Sequence, residues 1–136
     1  MKSYVVLALL VAHSAFAAHP TPPDLAVVWS KSSAVVSGAA GETIEIGYVI
    51  RNLGGRDAFA VISRVSTTLG PIPRARIQPG PEAGKSVERV LSLPLAVGMS
   101  ELCIEVILQN VSLDDPSDPN LKNNRACRPV AVREPK

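Results

Sequence analysis

The sequence predicts an all-β protein folded as a seven-stranded antiparallel β-sandwich, and three observations carry that expectation. Apolar residues recur at every second position in six separate runs rich in Val and Ile. Clusters of Gly, Pro, Asn and Asp divide the runs roughly every dozen residues. No stretch joins a helical period to capping residues, so the strands must bury their apolar faces against one another.

The chain opens with Lys2, an apolar run from Tyr4 to Ala12 and the small-residue triplet Ala15-Phe16-Ala17. This is the pattern of a secretory signal peptide cleaved after Ala17. The run is shorter than the roughly 20 apolar residues a membrane-spanning helix needs, so no transmembrane segment is expected. The organisation read from the sequence is a signal peptide over 1–17, an extended N-terminal tail over 18–23 and one sandwich domain over 24–136. Removing 17 of the 136 residues leaves 119, the size of one domain and enough for a core without metals or many disulfides. The mature chain is expected in a secreted, periplasmic or extracellular setting.

DLAVVWS is the first run. TIEIGYVIRN follows, with Ile44, Ile46, Tyr48 and Ile50 on one face and Thr43, Glu45 and Arg51 on the other. AFAVISRVS alternates through Phe59, Val61 and Val65, SVERVLSL through Val87, Leu91 and Leu93, and ELCIEVILQ through Leu102, Ile104, Val106 and Leu108. ACRPVAV closes the set. A seventh strand is expected around Arg74 to Gln78 in PIPRARIQPG, where the prolines confine it to an edge. Ser37-Gly38 through Gly41, Gly54-Gly55, Gly70-Pro71, Pro79-Gly80-Pro81 and Pro94 through Gly98 read as turns.

PDLAV at Pro23 to Val27, VIRNLGG at Val49 to Gly55, IQPG at Ile77 to Gly80, and LPLAVGMSELCIEV ahead of DPNLKNNRA resemble the cell-adhesion-related domain of bacterial exported proteins, CARDB. The resemblance spans essentially the whole mature chain. It is strongest at Asn123-Asn124 before the last strand and at Asn52 and Gly54 after the second. It implies an immunoglobulin-like seven-stranded sandwich and a non-catalytic module outside the cytoplasm.

The two cysteines occupy equivalent positions by parity. Leu102, Ile104 and Val106 take the core face of one strand and Val130 and Val132 that of the next, which turns Cys103 and Cys127 outward together. Matching parity permits cross-strand pairing, and an oxidising compartment favours a disulfide over two free thiols. Arg128 then falls on the core side, where a bulge or a frayed edge is expected.

Between these strands lies SLDDPSDPNLKNN. Asp114, Asp115, Asp118 and Asn120 offer the hard oxygen ligands calcium prefers, but their spacing lacks EF-hand order, and the same residues are turn formers. No metal or cofactor is therefore expected, with Asp114, Asp115 and Asp118 as the calcium candidates. Asn110-Val111-Ser112 matches a glycosylation acceptor, relevant only to a eukaryotic source. In an immunoglobulin-like topology the connection from Asn52 to Ala58 shares an end with this loop, which would gather Arg56, Asp57, Asp114, Asp115, Asp118 and Asn120 on one rim as a binding surface.

Catalysis needs a nucleophile with its base, paired carboxylates in a cleft, or a ligated metal. The mature chain holds one histidine, His19, in the tail, and the outward glutamates Glu45, Glu88, Glu101 and Glu105 read as a solvated face; no enzyme is expected. The formal charge is +2, or +1 once Lys2 is removed, with scattered basic residues and few aromatics, so nucleic acid is not an expected partner. The sequence reading is a secreted recognition module whose loops bind a protein, glycan or surface. The alternative is a structural or assembly subunit acting by edge-strand pairing.

Overall fold

The computed structural model describes residues 20–30, 35–73, 75–109 and 118–135. The nine strands of that region are β1 (Leu25–Trp29), β2 (Val36–Ala39), β3 (Thr43–Asn52), β4 (Ala60–Thr67), β5 (Gly70–Pro71), β6 (Arg76–Pro79), β7 (Ser86–Pro94), β8 (Glu101–Leu108) and β9 (Arg125–Arg133). One sheet has the order β1-β3-β7 and the other β2-β9-β8-β4-β5, with β6 also pairing to β4. A single turn of 3-10 helix, Leu121–Asn123, precedes β9. The signal peptide, His19, Arg74, Asn110, Asp114 and Asp115 lie outside the described residues.

Two-residue periodicity places the core. Leu25, Val27, Ile46, Tyr48, Ile50, Leu91 and Leu93 line the inner face of the first sheet, and Val61, Leu102, Ile104, Val106 and Val130 that of the second. Ala58, Leu95 and Met99 join the same buried cluster. Each fully buried Leu, Ile or Val contributes about 1.5–3 kcal/mol relative to exposure, so the alternation is sufficient to fix the register of every long strand.

Four expectations are corrected. Ser37-Gly38 is not a turn: Val36–Ala39 forms β2, which runs parallel to β9 from Val36↔Val130 to Ala39↔Arg133, so the sandwich is not wholly antiparallel. A side chain at position 38 would meet Leu95 and Glu42, and the glycine that reads as a turn signal is there for a close approach. With β5, a two-residue strand formed as Gly70 turns back at φ 121°, β2 raises the count from seven to nine. Phe59 does not join Val61 and Val65 on the core face; it is 80% exposed and Ala58 is buried instead, because the chain enters β4 only at Ala60.

The fourth correction concerns β9. The β8–β9 ladder runs unbroken through Leu102↔Arg128, so there is no bulge or fraying. Arg128 is 7% exposed on the core side, with its guanidinium carbon 5.3 Å from the ring centroid of Trp29. Cation–π attraction to the ring face, and a long aliphatic stem laid along apolar surface, let a cation close the side of the sandwich.

Candidate functional site

Asn52 organises one end of the sandwich. Its Oδ1 accepts from the backbone N–H of Asp24 at 3.2 Å and of Gly54 at 3.0 Å. Its Nδ2 donates to Arg56 O at 2.6 Å and Pro81 O at 3.2 Å. All four hydrogen-bonding positions of the amide are used in a residue 1% exposed. One side chain thus ties the start of β1, the β3–β4 loop and the β6–β7 connection together. Gly54 is required beside it, since a Cβ there would overlap Pro22 O and crowd Asp24 N.

The segment before β9 docks on the same end. Asp118 Oδ2 accepts from Leu25 N at 3.0 Å and from Asn124 Nδ2 at 3.0 Å, while Oδ1 accepts from Asn120 N at 3.0 Å. Asn120 caps the 3-10 turn through Lys122 N at 3.2 Å. Asn123 Nδ2 donates to Asp24 Oδ1 at 3.1 Å, and Val106 N donates to Asn124 O at 2.8 Å. Asp24 therefore lies between Asn52 on one side and Asn123 on the other, and the β3–β4 loop and the pre-β9 segment share this end.

The candidate residues separate into distinct roles on these contacts. Arg56 and Asp57 are exposed, with Asp57 Oδ1 accepting from Ala83 N at 2.8 Å. Nearby, Lys85 Nζ donates to Glu82 Oε2 at 2.7 Å, and that carboxylate holds the ammonium above its usual pKa. Asp118 and Asn120 are instead committed to the backbone of their own segment and of β1. Sequence reasoning could not separate them, because an Asp in a polar loop reads the same whether it meets solvent or amides.

Cys103 and Cys127 form a disulfide at directly paired positions. The bridge sits at the middle pair of the five-pair ladder rather than at its loop end. The parity reading placed both sulfurs on the outer face. Cys127 is indeed exposed there, but Cys103 is 4% exposed, because β8 is an inner strand flanked by β4 and β9.

One feature carried no sequence signal. Between β7 and the segment after β5 lies a cleft of about 180 Å³, lined by Tyr48, Ser63, Ile72, Arg76, Val90 and Ser92 among others. Gln78 Nε2 donates to Ser63 Oγ at 2.9 Å and Tyr48 Oη at 3.2 Å at its inner wall. The contact joins residues 30 apart in sequence, which periodicity does not reveal.

Two packed β-sheets with these loop connections define an immunoglobulin-like β-sandwich. Within that class the fold is CARDB-like. The CARDB domain of a Pyrococcus furiosus protein, crystallised in complex with di-metal ions, superposes with a TM-score of 0.61 at 20% identity, covering 83% of this chain and 97% of that one. The solution NMR structure of the same domain gives 0.55 at 24% identity, covering 82% and 96%. A β-glucosidase from Listeria innocua matches at a TM-score of 0.40 and 10% identity over 16% of its length, too little to argue from. No protein-family model and no curated protein matches the sequence.

Proposed function

We propose that this chain is a secreted, non-catalytic recognition module that binds a protein, glycan or surface through the loop-bearing end organised by Asn52. The carrying observation is that one end combines a rigid frame with exposed charged side chains. Three backbone segments are fixed by one saturated amide, and Arg56 and Asp57 project beside it. Binding residues commonly sit on loops held by a stiff scaffold, and a pre-organised loop loses less entropy on engaging a partner. The disulfide supports an extracytoplasmic setting; among the described residues no helix is long and apolar enough to cross a membrane.

A metal-dependent version of this site is not favoured at Asp118. The Pyrococcus domain was crystallised with di-metal ions, but here the Asp118 carboxylate already accepts three N–H groups, and Asp24 Oδ1 is engaged by Asn123. The test is binding of the mature chain to intact cells and to immobilised surface glycans, with and without Arg56→Ala. Loss of binding at unchanged Tm supports the reading. Retention of full binding by that variant places the contact elsewhere.

A further inference from the structure

We propose that the outer face of the β4–β8–β9 ladder is a redox-gated site for a thiophilic divalent cation, closed while Cys103 and Cys127 are bridged and open when they are reduced. Glu101, Cys103 and Cys127 present one carboxylate oxygen and two sulfurs, all within 4.8 Å of one another. Glu101 and Cys103 are two residues apart on β8 and so share a face. Cys127 is the direct cross-strand partner of Cys103. Glu101 Oε1 lies 3.4 Å from Cys103 Sγ.

These separations suit a tetrahedral ion. With Zn–S near 2.3 Å and Zn–O near 2.0 Å, adjacent sulfur and oxygen ligands stand about 3.5 Å apart and adjacent sulfurs about 3.8 Å. The carboxylate is already at the first distance from Cys103 Sγ and within 4.8 Å of Cys127 Sγ. Reduction releases the sulfurs to reach the second by side-chain rotation, with no change in strand register. Glu101 is held from behind, since its backbone N–H donates to Thr68 Oγ1 at 2.8 Å. Glu101 and Cys127 are exposed, so the ion has an entry path and water can complete its coordination. Two thiolates and one carboxylate favour zinc over calcium or magnesium.

The chemistry balances with a dithiol as reductant: it transfers two electrons and two protons to the Cys103–Cys127 bond, giving two thiols and a cyclic disulfide. Zinc then displaces both thiol protons, leaving two Zn–S bonds and two protons in solution. A disulfide oxidant closes the cycle by thiol–disulfide exchange: the two thiolates form the Cys103–Cys127 bond, the oxidant takes the two electrons and two protons from solution to leave as two thiols, and the ion is released.

The test uses the mature chain, reduced with a phosphine that leaves no competing thiol, and titrated with Zn²⁺ against a chromophoric chelator. The reduced, folded chain is expected to take about one equivalent and the oxidised chain none. Glu101→Gln should weaken binding about tenfold or more, by comparison with the loss seen for outer-shell partners, and Cys127→Ser should abolish it. Co²⁺ should give the thiolate charge-transfer absorption of a tetrahedral site. The proposal is overturned if the reduced chain takes no stoichiometric zinc, if Glu101→Gln binds as tightly as the parent, or if reduction abolishes the far-UV sheet signal and leaves no folded site to load.

Discussion

Asn52 and Asp118 show how much of this fold is decided by single polar side chains. Changing Asn52 to Asp keeps the shape but sets a carboxylate oxygen against Arg56 O and Pro81 O, where two N–H donors stood. Two buried acceptors lose their partners and face a negative charge, so stability should fall by about 3 kcal/mol or more. At this chain length that lowers Tm by roughly 10 °C, measurable by thermal denaturation. Asp118→Ala should cost about 2 kcal/mol, because Leu25 N and Asn124 Nδ2 lose a charged acceptor. Arg56→Ala, at an exposed position, should stay within about 0.5 kcal/mol. The sequence resemblance draws attention to Asn52, Gly54, Asn123 and Asn124; the contacts by which Asn52 and Asn123 hold Asp24 span 28 and 99 positions, and no local pattern encodes those.

At the scale of the element, alternation was the legible signal and its exceptions were not. The six apolar runs and the proline-limited seventh correspond to β1, β3, β4, β7, β8, β9 and β6. β2 escaped because Val-Ser-Gly-Ala has too few apolar positions to show a period, and its partner lies at the far end of the chain. Arg128 broke the pattern of β9 without breaking the strand, since Trp29 gave its cation a face to rest on. Trp29 is the chain's one tryptophan, so its fluorescence reports on the surroundings of that single ring, the Arg128 contact and the core packing included. Arg128→Ala should shift the emission and cost about 1–2 kcal/mol through lost stacking and packing; Arg128→Lys should restore part of both. The free edge of β7 is blunted in two ways. Asn52 N donates to Lys85 O, so by alternation Glu88, Val90 and Ser92 turn their backbone groups away from β3. Of these, Glu88 O is taken by the Arg89 side chain at 3.1 Å, and Pro94 ends the strand without an N–H. Such an edge resists strand addition, and sedimentation velocity should show no association through β7 as concentration rises; concentration-dependent dimers lost on Val90→Pro would restore the assembly reading.

For the molecule as a whole, the disulfide and the core are separable sources of stability. The bridge joins cysteines 24 apart, and in the chain-entropy model closing such a loop contributes about 3 kcal/mol. A domain of this size is stable by about 5–15 kcal/mol, so the reduced chain should keep its sheets while its urea midpoint falls. Loss of the far-UV signal on reduction alone would mean that the core is smaller than the burial pattern implies.

β2 has a further consequence, for the order in which this chain can fold. Val36 pairs with Val130 across 94 positions, and Ala40 N reaches Arg133 O at 2.9 Å. Among the described strands β9 is therefore the seam between β2 and β8 in the second sheet, and it follows both of them in the chain. Until it emerges, β8 presents a bare inner edge and β2 has no partner, so the nascent chain cannot complete its sandwich by local steps. Contacts this distant place the domain among slow folders, on the order of milliseconds to seconds, and a chain stopped before Arg125 would expose two strand edges at once, the condition under which β proteins aggregate.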